Sequence, residues 1–354
     1  MVKFRRLIRL LVTTLMLMVV FIGCASLPEN TLREASTAYT DTRDTTIGRR
    51  VQAAMAAHTD ESGFLFLNNG LDAFVARALL AQHAERSIDT QYYMIYGDVV
   101  GSLFIDQLYR AAERGVRVRL LVDDIDQEGR DFDAAVLDSH PNIEVRIFNP
   151  FARNLGRTGQ YITGFGKQTR RAHNKSFTVD NQATILGGRN IGDEYFEADP
   201  ELAFVDIDVL AVGPVARQVS ASFDQYWNSE LSYPISALLK TAPTPEEIAG
   251  RKTTFDDFIV RQADSKYVKH LLDSDMANHF RQERVVYHWG AGTVVADDPE
   301  KLTHDTKDTK YRLTEQLKPY LADIREELII SSPYFVPGNP AWPFSNTCAT
   351  EVCG

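Results

Sequence analysis

Apolar and polar positions along this chain follow two periods, and the two alternate in a regular order. Leu71, Phe74, Val75, Ala78, Leu79 and Ala81 recur at three- and four-residue steps, which predicts a helix over 71–85. Residues 87–95 (SIDTQYYMI) are rich in Ile and Tyr and predict a strand. A second amphipathic helix is predicted over 102–113, closed by Arg114-Gly115. VRVRLLV at 116–122 alternates, turns apolar and stops at Asp123-Asp124, as a strand running into a loop does. A short helix over 132–139 and a strand over 143–148 (IEVRIF) follow. Residues 151–171 are Gly- and Arg-rich, lack a period and read as a loop. Strands are predicted at 173–179 and 183–186, joined by a turn at Asp180-Asn181, and again at 203–212 (AFVDIDVLAV). Pro214 opens a helix reaching Trp227, since proline suits a first helical turn. KTAPTPEE marks a linker, followed by a mixed helical region and a strand over 284–288. Strands alternating with helices imply an α/β fold around a mixed, mainly parallel sheet covered on both faces. Ligands of such sheets sit beyond the strand carboxyl ends.

The end of the chain repeats the beginning. A helix over 313–327 precedes an apolar strand, LIISSPYFV, at 328–336. Sliding by about 242 residues lays Tyr92-Tyr93 on Tyr334-Phe335, the start of a second copy of the fold. The first residues have a different character. Lys3, Arg5, Arg6 and Arg9 precede an apolar run, Leu10 to Ile22, that ends at Gly23-Cys24. This is the layout of a secretory signal peptide, and Phe21-Ile22-Gly23-Cys24 resembles a bacterial lipobox in which Cys24 is lipidated. An uncleaved anchor helix and simple secretion are the alternatives. The expected division is a signal peptide over 1–23, a polar tether over 24–50, a first lobe over 51–232, a linker and inter-lobe region over 233–310, the start of a second lobe over 311–338 and an aberrant tail over 339–354. The expected location is the bacterial envelope, anchored to a membrane and facing the periplasm.

Composition narrows the classes of function. The 354 residues are 44% hydrophobic and 24% charged, an ordinary balance for a folded protein. The formal net charge of −10 argues against broad binding to nucleic acid, which rests on neutralising phosphates. Of the three Cys, Cys24 belongs to the lipobox and Cys348 and Cys353 lie near the end of the chain, so a thiol nucleophile or a Cys-based zinc site is not expected in the globular part.

The chemistry concentrates in one motif. His173, Lys175 and Asp180 are spaced H-x-K-x(4)-D, and Gly187-Gly188-x-Asn190 follows six residues on. In a strand His173 and Lys175 project to one side. The turn at Asp180 can return the glycines alongside, where backbone without side chains lets a phosphate approach. Lys175 and Asn190 can hold phosphate oxygens, and the His173 imidazole can attack phosphorus. The remaining candidates have blander readings. Arg170-Arg171 suit either a solvated pair or a rim for anionic lipid. Asp123-Asp124 suit helix capping, and Tyr92-Tyr93 suit core packing.

This motif resembles that of the phospholipase D superfamily, H-x-K-x(4)-D-x(6)-G-G/S-x-N. The flanks SIDTQYYMIYGD, AAERGVRVRLLVDD and FVDIDVLAVGPVA are similar to the bacterial cardiolipin synthase branch, closest to its third, lipoprotein-like type, over about residues 45–338. The resemblance implies a phospholipase D-like α-β-α sandwich lobe and phosphatidyl transfer through a phosphohistidine, with no metal or cofactor. It implies His173 as nucleophile, Lys175, Gly187, Gly188 and Asn190 around the phosphate, Asp180 as a member of the catalytic motif that supports the turn and local pairing rather than touching substrate, and Asp208 as the carboxylate orienting the histidine. Asp206 is the near alternative to Asp208, and Glu194 and Glu201 rank below. The implied substrate is an anionic, phosphatidylglycerol-like lipid at a membrane. A second motif would supply the acid–base histidine near residue 415, and no second H-x-K-x(4)-D occurs in 1–354, so impaired activity is expected. The alternatives are a single-motif homodimeric phosphodiesterase and a non-catalytic lipid-binding remnant.

Overall fold

A computed structural model describes residues 26–327, apart from 155, 164–169, 200, 283–284, 305–307 and 309. The signal peptide with Cys24, the strand expected at 328–336 and the tail with Cys348 and Cys353 lie outside the described residues. The strands are β1 (Ser62–Leu67), β2 (Ser87–Tyr92), β3 (Arg117–Asp123), β4 (Ile143–Phe148), β5 (Ser176–Val179), β6 (Ala183–Gly187), β7 (Asp208–Val212), β8 (Ser232–Pro234) and β9 (His288–Gly290). They form one sheet in the order β8-β4-β3-β2-β5-β6-β7-β1-β9. The helices are α1 (Thr46–Met55), α2 (Gly70–His83), α3 (Val99–Glu113), α4 (Asp131–Asp138), α5 (Arg157–Thr163), α6 (Pro214–Trp227), α7 (Ile235–Leu238), α8 (Pro245–Gln262), α9 (Lys266–Asp273), α10 (Asp275–Arg281) and α11 (Leu313–Ala322).

The sheet is mixed, but the expectation that it is mainly parallel is corrected. β2, β3 and β4 run parallel, whereas the other six pairings are antiparallel. A parallel pair needs a long crossover, which α3 and α4 supply. Between β5 and β6 the connection shortens to a tight turn. Asp180 and Asn181 both adopt φ of 51°, the two-residue turn whose twist suits a hairpin, and force β6 antiparallel to β5. The strand predicted at 203–212 shrinks to β7, because 201–205 are exposed and unpaired to a neighbour. The loop expected over 151–171 contains α5, fixed by Arg157 against the Asp124 carbonyl at 2.8 Å.

α2, α3 and α4 cover one face. α6 covers the other, touching β2, β5, β6 and β7. The α6 face carries buried charge. Arg119 bridges Asp89 at 2.6 Å and Asp224 at 2.7 Å, and the Trp227 ring lies 4.1 Å from the Arg146 guanidinium. Residues 26–45 cross this face as a strap, which corrects the tether expected over 24–50. Arg146 donates to the Glu34 carbonyl at 2.6 Å and Arg119 to that of Ser36 at 3.0 Å, so the segment's polar backbone accepts guanidinium N–H groups that the carboxylate pairs leave over. Residues 233–310, expected as linker and inter-lobe region, add edge strands β8 and β9, and helices α9 and α10 rest on α2. No helix among the described residues is long and apolar enough to cross a membrane.

Asp180 holds the far end of this sheet. Its carboxylate accepts from the backbone N–H groups of Glu85, Arg86 and Ser87, at 2.8–2.9 Å for the last two. Asp180→Ala leaves these donors without a partner, and we expect a loss of about 2–3 kcal/mol in urea denaturation. Asp180→Asn keeps an acceptor and tolerates positive φ, so it should lose less.

Candidate active site

The register gathers several strand ends at one edge of the sheet. Leu67 of β1 and Gly187 of β6 both lie opposite Asp208, the first residue of β7, while Gln91 near the end of β2 lies opposite Ser176. His173 and Lys175 precede β5 rather than lying in it, which corrects the strand expected from 173. They nevertheless come together. The Lys175 ammonium lies 3.2 Å from His173 Nδ1 and 3.5 Å from Nε2, and donates to the His173 carbonyl at 3.0 Å. Tyr93 packs its ring 4.6 Å from the imidazole. Tyr92 turns the other way into the core, so the aromatic pair splits between packing and site.

His173 keeps an edge open to solvent while Lys175 is buried. Desolvation, then the charges of Lys175 and Lys301, push the His173 pKa down from 6.5 to about 4, against an upward pull from Asp206. Desolvation also lowers Lys175 to about 8. At neutral pH the site therefore pairs a neutral, nucleophilic imidazole with a cationic ammonium. Lys301 belongs to the segment 299–302, which Arg170 ties to the lobe through the carbonyls of Leu302 and His304 at 3.4 and 3.0 Å. Nothing local in the sequence marks Lys301, because its approach depends on a contact across more than a hundred residues.

The remaining predicted residues divide. Asp208 is fully buried and pairs with Arg77 at 2.8 Å, and Arg77 in turn donates to the Tyr92 hydroxyl at 2.8 Å. Its assignment as the carboxylate orienting His173 is corrected, since its oxygens are committed to Arg77 and to the Arg189 N–H. Asp206, the alternative, is the carboxylate whose charge reaches both His173 and Lys175. Asp180 is removed from the site as well. Its carboxylate is taken up by the N–H groups of residues 85–87 at the start of β2. Gly187 and Gly188 are needed for close approach, but the group that approaches is protein. A methyl group on Gly187 would overlap the Asp208 carboxylate, and one on Gly188 that of Asp206. Asn190 accepts from the Met94 N–H at 3.2 Å and donates to the Tyr195 hydroxyl at 2.9 Å, which leaves one amide hydrogen for a ligand. Glu194 and Glu201 lie on the segment beyond Asn190, where the Glu194 carbonyl accepts from Phe204 and the Glu201 N–H donates to Asp199. Asp123 contributes more than the capping read from sequence. It caps Ile125 at 2.9 Å, and its other oxygen accepts from the N–H of Ala172 at 3.0 Å, one residue before the histidine. Burial raises its pKa to about 7, opposed by Arg171.

A family model for "Cardiolipin synthase, PLD-like domain" matches residues 79–227. The chain is 41% identical over 281 residues to cardiolipin synthase C of Escherichia coli, covering 79% of this chain and 59% of that relative. It is 33% identical over 321 residues to an uncharacterized protein of Helicobacter pylori, covering 90% of this chain and 63% of that one. The chain thus spans about three fifths of the length of these relatives. Among solved structures, the phosphatidylserine synthase of Haemophilus influenzae aligns with a TM-score of 0.39 at 15% identity, over 62% of this chain and 49% of that one. Residues 79–227 thus carry a PLD-like domain of the kind found in cardiolipin synthases.

The His173 titration is directly measurable. By NMR its imidazole should titrate near pH 4, and in Asp206→Asn lower still, because the neighbour that raises it is lost. The unfolded chain takes up this proton near pH 6.5 and the folded chain near 4, so this group withdraws stability as pH falls between those values.

Proposed function

We propose that this chain provides the nucleophilic half of a phosphatidyl-transfer site of the cardiolipin synthase type. The observation that carries the reading is the neutral, solvent-facing imidazole of His173 held against the buried ammonium of Lys175 within the H-x-K-x(4)-D frame. A lone pair of the imidazole attacks the phosphorus of a phospholipid diester. The N–P bond forms as the bond to the departing alcohol oxygen breaks, and that oxygen needs a proton. A second histidine supplies the proton, then takes one from the acceptor alcohol, whose oxygen attacks phosphorus and breaks the N–P bond. Lys175 balances charge on the phosphoryl oxygens, Asn190 offers its remaining amide hydrogen, and Asp206 balances the charge that forms on His173. The donor is proposed to be a phosphatidylglycerol-like anionic lipid at a membrane.

Residues 1–354 hold one H-x-K-x(4)-D motif, so by themselves they are proposed to turn over slowly. The nucleophile can still be trapped. Incubation with phosphatidylglycerol should leave an acid-labile phosphatidyl adduct on His173, located by mass spectrometry. His173→Ala should abolish adduct and turnover, a loss of at least about a thousandfold, and Lys175→Ala should cost about a hundredfold. Turnover that survives His173→Ala would overturn the assignment of nucleophile.

The envelope location rests on the residues before the lobe. We infer that Cys24 is lipidated and tethers the domain to a membrane facing the periplasm. Labelled palmitate should enter the expressed protein, and Cys24→Ser should abolish the label and release the protein from the membrane fraction.

A further inference from the structure

A cavity of about 510 Å³ lies on the helical face of the sheet, between α3 and α4 and beneath α8. Protein interiors rarely leave voids much larger than a water molecule, whereas ligand pockets run from roughly 300 to 1,000 Å³. Leu120, Val122 and Ile147 of the parallel strands form its floor, Ile105 and Leu137 its walls, and Phe255 part of its roof. These are all hydrocarbon or aromatic groups, so the lining suits an apolar ligand. Along α4 the lining extends from Asp133 to Leu137, about 6 Å of helix, and continues past its end to Pro141. Tyr96 and Gly97 border it where β2 ends, at the edge of the sheet that holds the site. Tyr93 touches His173, and only three residues separate it from Tyr96, a reach of at most about 11 Å.

The roof is lightly held. Of the 18 residues of α8 only Ile259 is buried. The link from α8 to α4 is the fork between Arg251 and Asp133, at 2.6 Å for each bond, with both side chains about half exposed. Exposed pairs of this kind contribute little, so the roof rests on the core mainly through Ile259, Phe255 and Phe258.

We propose that this cavity is a binding site for one unbranched acyl chain of a glycerophospholipid, with the headgroup phosphate left near His173. The choice of ligand rests on the phosphatidyl-transfer reading above. An acyl chain fits because hydrocarbon and aromatic side chains make up most of the lining, with Arg130, Asp133, Arg251, Lys252 and Asp256 also bordering it. A site of this kind lets the protein draw one chain out of a bilayer and place the phosphodiester at the end of the sheet.

The test measures binding rather than turnover. His173→Ala protein is titrated with lysophosphatidylglycerols from octanoyl to stearoyl by isothermal titration calorimetry. One saturable site is expected, with affinity rising about fourfold for each methylene buried until the cavity is full. Ala134→Phe fills part of the cavity and should move this plateau to a shorter chain. Circular dichroism checks that the variant folds, and Ser102→Phe on the opposite wall serves if it does not. Affinity independent of chain length, or a plateau unmoved by either filled variant, would overturn the proposal. Failure of the transfer reaction with length-dependent binding intact would sink the reading of the activity and leave this site standing. Transfer without saturable binding would do the reverse.

Discussion

The absence of side chains at Gly187 and Gly188 is the constraint on which the site depends. It lets the chain at 206–208 lie against the end of β6, where any larger residue would displace a carboxylate. Two consequences follow from that one close contact. Asp208 is driven into the core, where it pairs with Arg77 beneath the Tyr92 hydroxyl and locks β7 to α2 and β2. Both partners are almost fully buried, so removing either would strand a charge, at a cost of about 3–5 kcal/mol. Asp206 is left at the surface, within electrostatic reach of His173 and Lys175. Two carboxylates two residues apart thus take different duties, because one begins the strand and the other precedes it.

The electrostatics of the site follow from the same packing. Lys175 is covered by its surroundings, which lowers its pKa without abolishing its charge at neutral pH. That charge, with Lys301 and burial, keeps the imidazole neutral and therefore nucleophilic. Two other acidic groups are used to hold backbone. Asp123 secures Ala172, and Asp180 secures the start of β2. A rigid frame of hydrogen-bonded carboxylates places a small, charge-balanced pair at its edge.

Much of the architecture was legible from periodicity. The α2–β2–α3–β3–α4–β4 order and the α6 boundaries follow from where apolar residues recur and where Gly, Pro and Asp interrupt them. Strand direction was less legible, because a period of two reports burial and not the neighbour that a strand will choose. The arginines at 117 and 119 illustrate the limit. In VRVRLLV they read as the solvent-facing half of an alternation, yet Arg119 is buried beneath α6 and the strap, its charge met by Asp89 and Asp224. The strap itself read as a tether, since polar composition is equally suited to water and to the hydrogen-bonding needs of buried arginines.

For the site, sequence alone brought together His173 and Lys175, the pair proposed to react. The spacing of His173 and Lys175 keeps them within reach of each other in any extended backbone, so short-range geometry sufficed. It also determined that Gly187 and Gly188 mark a place of close approach. Only the tertiary structure decided what approaches them, which carboxylate faces the histidine, and that Tyr93 and Lys301 complete its surroundings. Those outcomes depend on the register between β6 and β7 and on contacts between residues far apart in the chain. Such contacts are set by packing and charge pairing in three dimensions, and no local pattern of residues encodes them.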